Sequence, residues 1–381
     1  MKYFSTIFKF VPYDNTDVMG KKTLNIHSLN SGPNTLTCGK RIKLFNPIHP
    51  CGDTLTEIVI NLIEKRWKQL YVYRYVSSDK FHIDACIAAW CLINPSEAIK
   101  YKYILIEASR IDSLREMKLS EDNILIPNST TDKALKLCCW ILETEKLYLW
   151  KSYETKPVKF KDSHEKFDYI LPRLNTILEA IDSNNIQVDD MYSKIVSDIE
   201  FLYTSENTRV EKWEDVGIVV IFVEKPLHYY ALFHPACNMD TVITIYPDNK
   251  YEIEDKFTSL IQLTSRKSWP RIPLDALTVI LNTKETKYTW KCSDINIPSK
   301  LTYLIPTPEA PISSINEYEG PCNRNILSSD IKSDEFLDLV KSLYTFVKNT
   351  SRIKYPKRNW YEDEIKEIII STRWRDWMEL N

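Results

Sequence analysis

The stretch SSDKFHIDACIAAWCLI, residues 77–93, decides the expected fold of the first half of the chain. The segment before it, QLYVYRYV (69–76), is aromatic and β-branched, which is typical of a strand. The run ACIAAWCLI (85–93) is apolar on every side and therefore predicts a buried helix. The polar residues between the two segments then lie in a turn at the end of a strand, where α/β proteins commonly bind ligands.

The neighbouring segments extend this alternation. TLTEIVINLIEKRWK has helical spacing, and Thr54 with Glu57 forms a capping box at its start. YKYILIEA (101–108) and NILIP (123–127) predict two further strands, and TDKALKLCCWILETEKL (131–147) predicts a helix. Strands that alternate with helices indicate an α/β fold with a parallel, doubly wound sheet.

The second half of the chain predicts a smaller α/β unit behind two helices. The predicted helices are 167–182, 189–203, 274–282, 333–350 and 360–380, and the strand-like segments are 216–224, 228–236, 241–246 and 251–265. We expect four parts: a turn-rich segment 1–52, an α/β domain with a helical extension 53–210, a smaller α/β domain 211–305, and a Pro-rich connector with C-terminal helices 306–381.

Composition excludes several classes of protein. The 381 residues contain six glycines and no G-x-G-x-x-G, G-x-x-x-x-G-K-[ST] or G-x-S-x-G, so the common glycine-built phosphate cradles and the hydrolase elbow are missing. Fifty basic residues against 52 acidic ones give a net charge of −2, which does not indicate a nucleic-acid partner. Nine cysteines without C-x-x-C, and the lack of any apolar run of ~20 residues, predict a soluble cytoplasmic protein without a membrane partner.

A first candidate site follows the strand before residue 77. Asp79, His82 and Asp84 lie within six residues of each other, Glu107 ends the next predicted strand, and Asp112 follows it. Carboxylates and imidazole suit a divalent metal such as Mn, Fe or Zn, which can activate water for phosphate ester hydrolysis. Structural roles are the alternative: Asp84 as the N-cap of the buried helix, Asp79 as a turn residue and His82 as a hydrogen-bonded loop residue.

A second candidate site lies in the smaller unit. His228 and His234 are six residues apart on a predicted strand and would face the same side of it. Ser265, Arg266 and Arg271 precede a predicted helix, and arginines at a helix N-terminus suit an anion. The alternative interpretation is an exposed loop that contains two arginines.

Three stretches carry a family resemblance that covers about residues 55–345. They are SSDKFHIDACIAAWCLINP (77–95), PLHYYALFHPACNMDTVITI (226–245), and the segment 251–282 followed by Trp290. Together they resemble an uncharacterised family of bacterial proteins with an N-x-H-F-D-x-D-G motif. That family in turn resembles the DHH phosphoesterases, which use Mn or a similar metal and bind phosphorylated substrates in a smaller second domain.

The resemblance implies a metal-dependent phosphoesterase that acts on a nucleotide or another phosphorylated small molecule. Asp84 and Ala85 match the second aspartate and following alanine of the DHH motif, and 265–274 resembles the substrate-binding strand and helix start. His82 stands in place of the first aspartate, and Lys80 stands in place of the histidine of the nearer family motif.

The D-H-H triplet and the GGGH loop of these enzymes are missing from this chain. In the enzyme hypothesis the metal is held by Asp79, His82, Asp84, Glu107 and Asp112. His82 and Asp84 are also catalytic, His228 and His234 assist catalysis, and Lys80, Ser265, Arg266 and Arg271 bind the substrate. A non-catalytic, DHH-like ligand-binding or interaction protein is the second hypothesis, in which Lys80 holds an anion. A single-stranded nucleic-acid processor is the third.

Overall fold

The structure, a computed structural model, describes seventeen segments of the chain. They are 9–11, 23–26, 37–38, 42–43, 54–65, 75–78, 81–114, 117–150, 163–186, 190–225, 227–235, 241–246, 260–266, 274–285, 289–293, 301–307 and 331–350. The chain divides into two compact units, Met1–Ser197 and Asp198–Asn381. The four-part division of the sequence stays a prediction.

The first unit is mainly helical. Its helices are α1 (Leu55–Glu64), α2 (Ile83–Ile93), α3 (Pro95–Lys100), α4 (Lys102–Asp112), α5 (Thr130–Trp150), α6 (Ser163–Ile170) and α7 (Leu174–Asp182), and α8 (Asp190–Thr204) begins here. Ten of the eleven α2 residues are buried, which confirms the prediction from its uniformly apolar sequence. The helix predicted over 167–182 is divided by a 3₁₀ turn, Leu171–Arg173, at Pro172, which has no backbone N–H to continue the α-helix.

A small mixed sheet accompanies these helices. Its strands are β1 (Lys9–Phe10), β2 (Thr23–Asn25), β3 (Thr37–Cys38), β4 (Ile42–Lys43) and β5 (Tyr75–Ser77), in the order β1-β5-β2-β3-β4. The β5 strand pairs in parallel with β1 and β2, whereas β2–β3 and β3–β4 are antiparallel. Four of the five strands come from the N-terminal segment that the sequence predicts to be turn-rich, and β5 is the end of the strand predicted before residue 77.

Two predicted strands of this unit are wrong. Residues 102–108 belong to α4, because Leu105, Ala108 and Ile111 are buried at helical spacing and outweigh the local β preference. Residues 123–127 form a turn in which the N–H of Ile124 donates to the Ser120 hydroxyl and Asn123 has a φ of 59°. The described strands form two small mixed sheets, so the parallel, doubly wound sheet is not confirmed and the class is mixed α/β.

The second unit contains a larger sheet and three further helices. The strands are β6 (Arg209–Trp213), β7 (Ile218–Phe222), β8 (Thr241–Tyr246), β9 (Leu260–Arg266), β10 (Thr289–Ser293) and β11 (Leu301–Thr307), in the order β10-β11-β9-β8-β7-β6. Only the β7–β8 pair is parallel among these described strands. The helices are α9 (Tyr229–Phe233), α10 (Leu274–Lys284) and α11 (Ser333–Thr350).

The core of the second unit lies where α10, α11 and the sheet meet. Trp290 of β10 stacks on Phe336 of α11 with ring centroids 5.3 Å apart, and both side chains are fully buried. The predicted helices over 274–282 and 333–350 and the predicted strand over 241–246 are confirmed. The predicted helix over 360–380 lies outside the described residues.

The strand predicted over 228–236 is wrong. Its centre is the helix α9, in which all five residues are buried, and His228 is the N-cap. Continuous burial removes the alternation that a half-buried strand shows, so an apolar run of this length is compatible with either structure. Among the helices that the structure describes, none combines the length and the apolar character needed to cross a bilayer.

Candidate functional site

His82 begins the helix α2. Its backbone is extended, and its Nδ1 accepts a hydrogen bond from the N–H of Ala85 at 3.2 Å, so the imidazole acts as the N-cap. The sequence alternative that placed Asp84 at this N-cap is wrong. Asp84 lies one residue inside the helix, and its carboxylate is directed to another element.

The Asp84 carboxylate binds the start of α1. Its Oδ2 accepts from the N–H of Leu55 at 2.9 Å, and its Oδ1 accepts from the N–H of Thr56 at 2.9 Å and the Thr56 hydroxyl at 2.8 Å. Thr54, the N-cap predicted from the sequence, accepts from the N–H of Glu57. Since the first N–H groups of a helix have no partner within it, Asp84 satisfies two of the groups that α1 exposes.

Asp112, at the end of α4, accepts a hydrogen bond from the start of α2 in the same way. Its Oδ2 accepts from the backbone N–H of Asp84 at 3.1 Å and lies 3.7 Å from the Nδ1 of His82. The hydroxyls of Thr54 and Ser109 share a hydrogen bond of 2.7 Å, which ties α1 to α4 as well. The members are all buried, and we call them the capping network: Thr54, Thr56, His82, Asp84, Ser109 and Asp112.

The predicted convergence of acids is therefore partly correct. His82, Asp84 and Asp112 come together, although Asp112 arrives on a helix and not after a strand. A metal centre needs several carboxylates and imidazoles directed at one point. The oxygens of Asp84 and Asp112 are directed instead at the N–H groups of two different helices, and the described part of the chain contains no group of three His, Cys, Asp or Glu residues that could hold a metal ion. The described donors do not fit the expected metal.

Burial of this interior affects a neighbouring thiol. Cys91 lies in α2 and is fully buried. Burial, together with the negative charge of Asp84, raises the pKa of the Cys91 thiol above its ordinary range, and Cys91 is a free thiol. The Cys91 side chain is therefore neutral at neutral pH.

Glu107 lies outside the capping network. Its side chain is buried, and its Oε1 accepts from the hydroxyl of Thr131, in the first turn of α5, at 2.9 Å. Glu107 and Thr131 line a cavity of about 350 Å³ between α4, α5 and the segment that joins them. Arg110 and Lys118 line the same cavity, which we call the α4–α5 cavity.

The α4–α5 cavity does not correspond to either of the sites that the sequence predicts. Glu107 and Arg110 are three residues apart, which places them on one face of a helix but on opposite faces of a strand. The helical spacing of the apolar residues Leu105, Ala108 and Ile111 is the sequence signal that would place Glu107 and Arg110 on the same face. Nothing comparable in the sequence points to Lys118, which lies in the irregular segment after α4.

The two histidines of the second unit lie at opposite ends of α9. His228 Nδ1 accepts from the N–H of Tyr230 at 3.2 Å, and the backbone N–H of His228 donates to Asp198 at 2.7 Å. His234, the C-cap, shares a hydrogen bond with the hydroxyl of Tyr203. The prediction that both imidazoles face one side of a strand is therefore wrong, because the segment between them is helical.

The remaining predicted residues are placed only in part. Ser265 and Arg266 are the last two residues of β9, where they pair with Thr302 and Leu301 of β11. Arg271, Asp79 and Lys80 lie outside the described residues. The proposed phosphate-binding roles of Lys80, Ser265, Arg266 and Arg271 stay predictions.

Fold and site together define a mixed α/β protein whose helical unit contains a buried capping network and a cavity lined by both charged and apolar side chains. The chain belongs to a family of unknown function (DUF6687), whose model matches residues 6–354. The expectation of an uncharacterised family covering most of the chain is thereby confirmed. Comparison with curated proteins and with solved structures gave no match.

Proposed function

We propose that this protein binds a phosphorylated small molecule, a nucleotide or a similar phosphate ester, without the metal chemistry of the DHH phosphoesterases that its sequence resembles. The observation that carries the proposal is the environment of Asp84. Its two carboxylate oxygens accept three hydrogen bonds from Leu55 and Thr56, so the residue matched to the catalytic motif serves the fold.

The ligand class in this proposal rests on the resemblance and on charge. The DHH relatives hold phosphorylated substrates, and this chain keeps cationic side chains beside a cavity, at Arg110 and Lys118. His82 and Lys80 replace two residues of the relatives' motif, and a lysine favours an anion over a cation. Fold resemblance alone does not fix an activity, so the ligand requires a direct test.

A metal-dependent phosphoesterase is the second candidate, and one observation favours it. His82 and Asp112 are buried with 3.7 Å between the imidazole Nδ1 and the carboxylate Oδ2, close to Asp84. Asp79 precedes them in the sequence and belongs to the same hypothesis. The third hypothesis, a processor of single-stranded nucleic acid, has no comparable observation in its favour.

Thermal unfolding separates the two candidates. The full chain is measured in EDTA with adenosine 5′-monophosphate (AMP), and separately with Mn²⁺, Zn²⁺ or Fe²⁺ and no nucleotide. We expect saturating AMP in EDTA to raise Tm by about 5 °C or more, because ligand at a hundredfold excess over Kd stabilises the native state by about 2.7 kcal/mol. The metals alone are expected to leave Tm unchanged.

Two results would overturn the proposal. One is the absence of any shift with AMP or with inorganic phosphate. The other is metal-dependent stabilisation together with release of phosphate from AMP, with both effects lost in Asp84→Asn. The asparagine variant keeps one carbonyl oxygen for the start of α1, so it separates the loss of a metal ligand from complete loss of the cap.

A further inference from the structure

We propose that the α4–α5 cavity is the binding site for the phosphorylated ligand, and that this ligand is a phosphate monoester carrying an aromatic group, of the size of one nucleotide. The inference rests on the proposed function and adds the position of the site and the chemistry of the ligand. It assigns the ligand to the first unit, whereas the sequence favours the segment 265–274 of the second unit.

Positive charge at the cavity is supplied by two side chains of different character. Arg110 donates from Nη2 to Glu57 at 3.1 Å, which fixes the guanidinium in place. Its Nε is buried and has no hydrogen-bond partner within the described part of the chain, so this arginine retains donor capacity. Lys118 is exposed and lines the same cavity. A guanidinium held by an ion pair and an exposed ammonium together suit a phosphate group.

The first turn of α5 adds to the positive electrostatic potential at the cavity. Thr130 and Thr131 line the cavity at the N-terminal end of a helix of 21 residues. The N-terminal turn of a helix carries partial positive charge, which favours an anion in addition to the two cationic side chains.

Apolar surface collects at the same place. In the described part of the chain, four large apolar side chains are at least half exposed, and Tyr103 at 69% and Ile126 at 50% both line the cavity. Ile124, 58% exposed, lies two residues from Ile126. Exposed apolar surface beside charged groups marks a ligand site more often than it marks ordinary surface. An aromatic group on the ligand would cover the Tyr103 ring.

The volume limits the ligand. Binding pockets for small molecules span about 300–1,000 Å³, and 350 Å³ is at the lower end of that range. A cavity of this size suits one phosphate ester with one aromatic group. It does not suit two linked nucleotides.

The charge of Glu107 is expected to lower the affinity of the cavity for a phosphate group. Its carboxylate lines the same cavity as the cationic side chains and accepts from Thr131, so it repels the phosphate and holds the start of α5. Glu107→Gln removes that charge and keeps an oxygen for Thr131. The variant is therefore expected to bind AMP more tightly than the wild type, a gain that damage to the fold would not produce.

Isothermal titration calorimetry of the full chain in EDTA tests the site with three probes: AMP, adenosine and inorganic phosphate. AMP is expected to bind more tightly than either of the others. Lys118→Glu is expected to weaken AMP binding about five- to tenfold, and Glu107→Gln to strengthen it about threefold or more, both effects shrinking at high salt. Lys65→Glu is the matched control, since Lys65 is equally exposed but does not line the cavity. It should bind like the wild type.

The outcomes separate the site from the function. If AMP binds the wild type, and Lys118→Glu and Glu107→Gln bind like Lys65→Glu, the cavity is not the site although the proposed function stands. Loss of binding in Arg266→Glu alone would place the ligand at the end of β9 and would likewise overturn the inference. If neither AMP nor phosphate binds the wild type, both proposals fail. Equal affinity for phosphate and AMP would exclude the aromatic group.

Discussion

Helix α4 carries two buried carboxylates whose surroundings differ in kind. Asp112, at its C-terminal end, accepts from the N–H of Asp84 inside the capping network. Glu107, five residues earlier, accepts from the hydroxyl of Thr131 and lines the α4–α5 cavity. The two acids are equally well buried, at 2% and 5% exposure.

The comparison shows that burial of an acid does not identify its role. The Asp112 carboxylate accepts from the backbone N–H of Asp84 at the start of α2 and lies beside His82. Around Glu107 the neighbours include Arg110 and Lys118 and a cavity. A buried carboxylate that accepts from a helix start has a structural role, whereas charged side chains beside open volume indicate a ligand site.

Removing Asp84 should have the largest effect on stability. Asp84→Ala leaves the N–H groups of Leu55 and Thr56 without their acceptor, and each buried unsatisfied group costs about 1–3 kcal/mol. The Thr56 hydroxyl also loses its bond to the carboxylate and keeps only the longer one, of 3.2 Å, to the backbone carbonyl of residue 84. We expect the free energy of unfolding in urea to fall by about 3–5 kcal/mol. Asp122→Ala, at an exposed position, should change it by less than about 0.5 kcal/mol. Equal stability of the two variants would contradict the capping role of Asp84.

Asp112 should follow with a smaller loss. Asp112→Ala removes the acceptor for the N–H of Asp84 and the neighbour of His82, and we expect a loss of about 2–3 kcal/mol. Asp112→Asn retains an oxygen and should recover about half of that loss. The pair is compared by urea unfolding at one pH. An asparagine variant as unstable as the alanine variant would show that charge, and not the hydrogen bond, is what α2 requires.

Alkaline pH should weaken the same interior through Cys91. The folded chain holds the thiol proton because burial and Asp84 raise the pKa, whereas the unfolded chain loses it above about pH 8.5. The proton count is then higher in the native state, so stability falls by about 1.4 kcal/mol per pH unit above that point. The free energy of unfolding of Cys91→Ala should fall less steeply with pH between about pH 8.5 and 10, and the difference in slope should equal this amount. An unchanged slope would contradict the shifted pKa.

The smallest expected loss of stability is that of a substitution at the α4–α5 cavity. Ser129 lines the cavity, and its hydroxyl oxygen accepts from the N–H of Asp132 at the start of α5. Ser129→Ala should therefore lower stability by about 1 kcal/mol, which is usual for loss of a cap. Urea unfolding would measure it beside Asp84→Ala. A loss as large as that of Asp84→Ala would contradict the view that the capping network contributes more to stability than the residues of the α4–α5 cavity.

How far the sequence predicts this molecule depends on how ambiguous each pattern is. The N-cap at Thr54 and the uniformly apolar run of α2 each favour one local structure, and both predictions are confirmed. Residues 101–108 contain β-branched and aromatic side chains whose preference competes with a helical burial pattern, and packing on neighbouring helices decides in favour of α4. The nearness of Asp112 to Asp84 follows from that packing and has no local signal.

The candidate site divides in the same way. His82 and Asp84 could be selected from the sequence because they are close together in the motif-like stretch. The hydrogen-bond partners of Asp84, Leu55 and Thr56, lie 29 and 28 residues away from it, and only the folded chain brings them into contact. A residue pattern can thus identify buried polar groups. It does not predict whether a metal ion or the start of a helix binds to them.

Metal analysis of the full chain, purified without chelators and equilibrated with Mn²⁺, Zn²⁺ and Fe²⁺ before desalting, tests the central claim most directly. If Asp84 and Asp112 serve helix starts, the desalted protein retains only substoichiometric metal, and Asp84→Asn retains the same amount. Stoichiometric metal in the wild type that is lost in Asp84→Asn would contradict this account and favour the metal-dependent phosphoesterase.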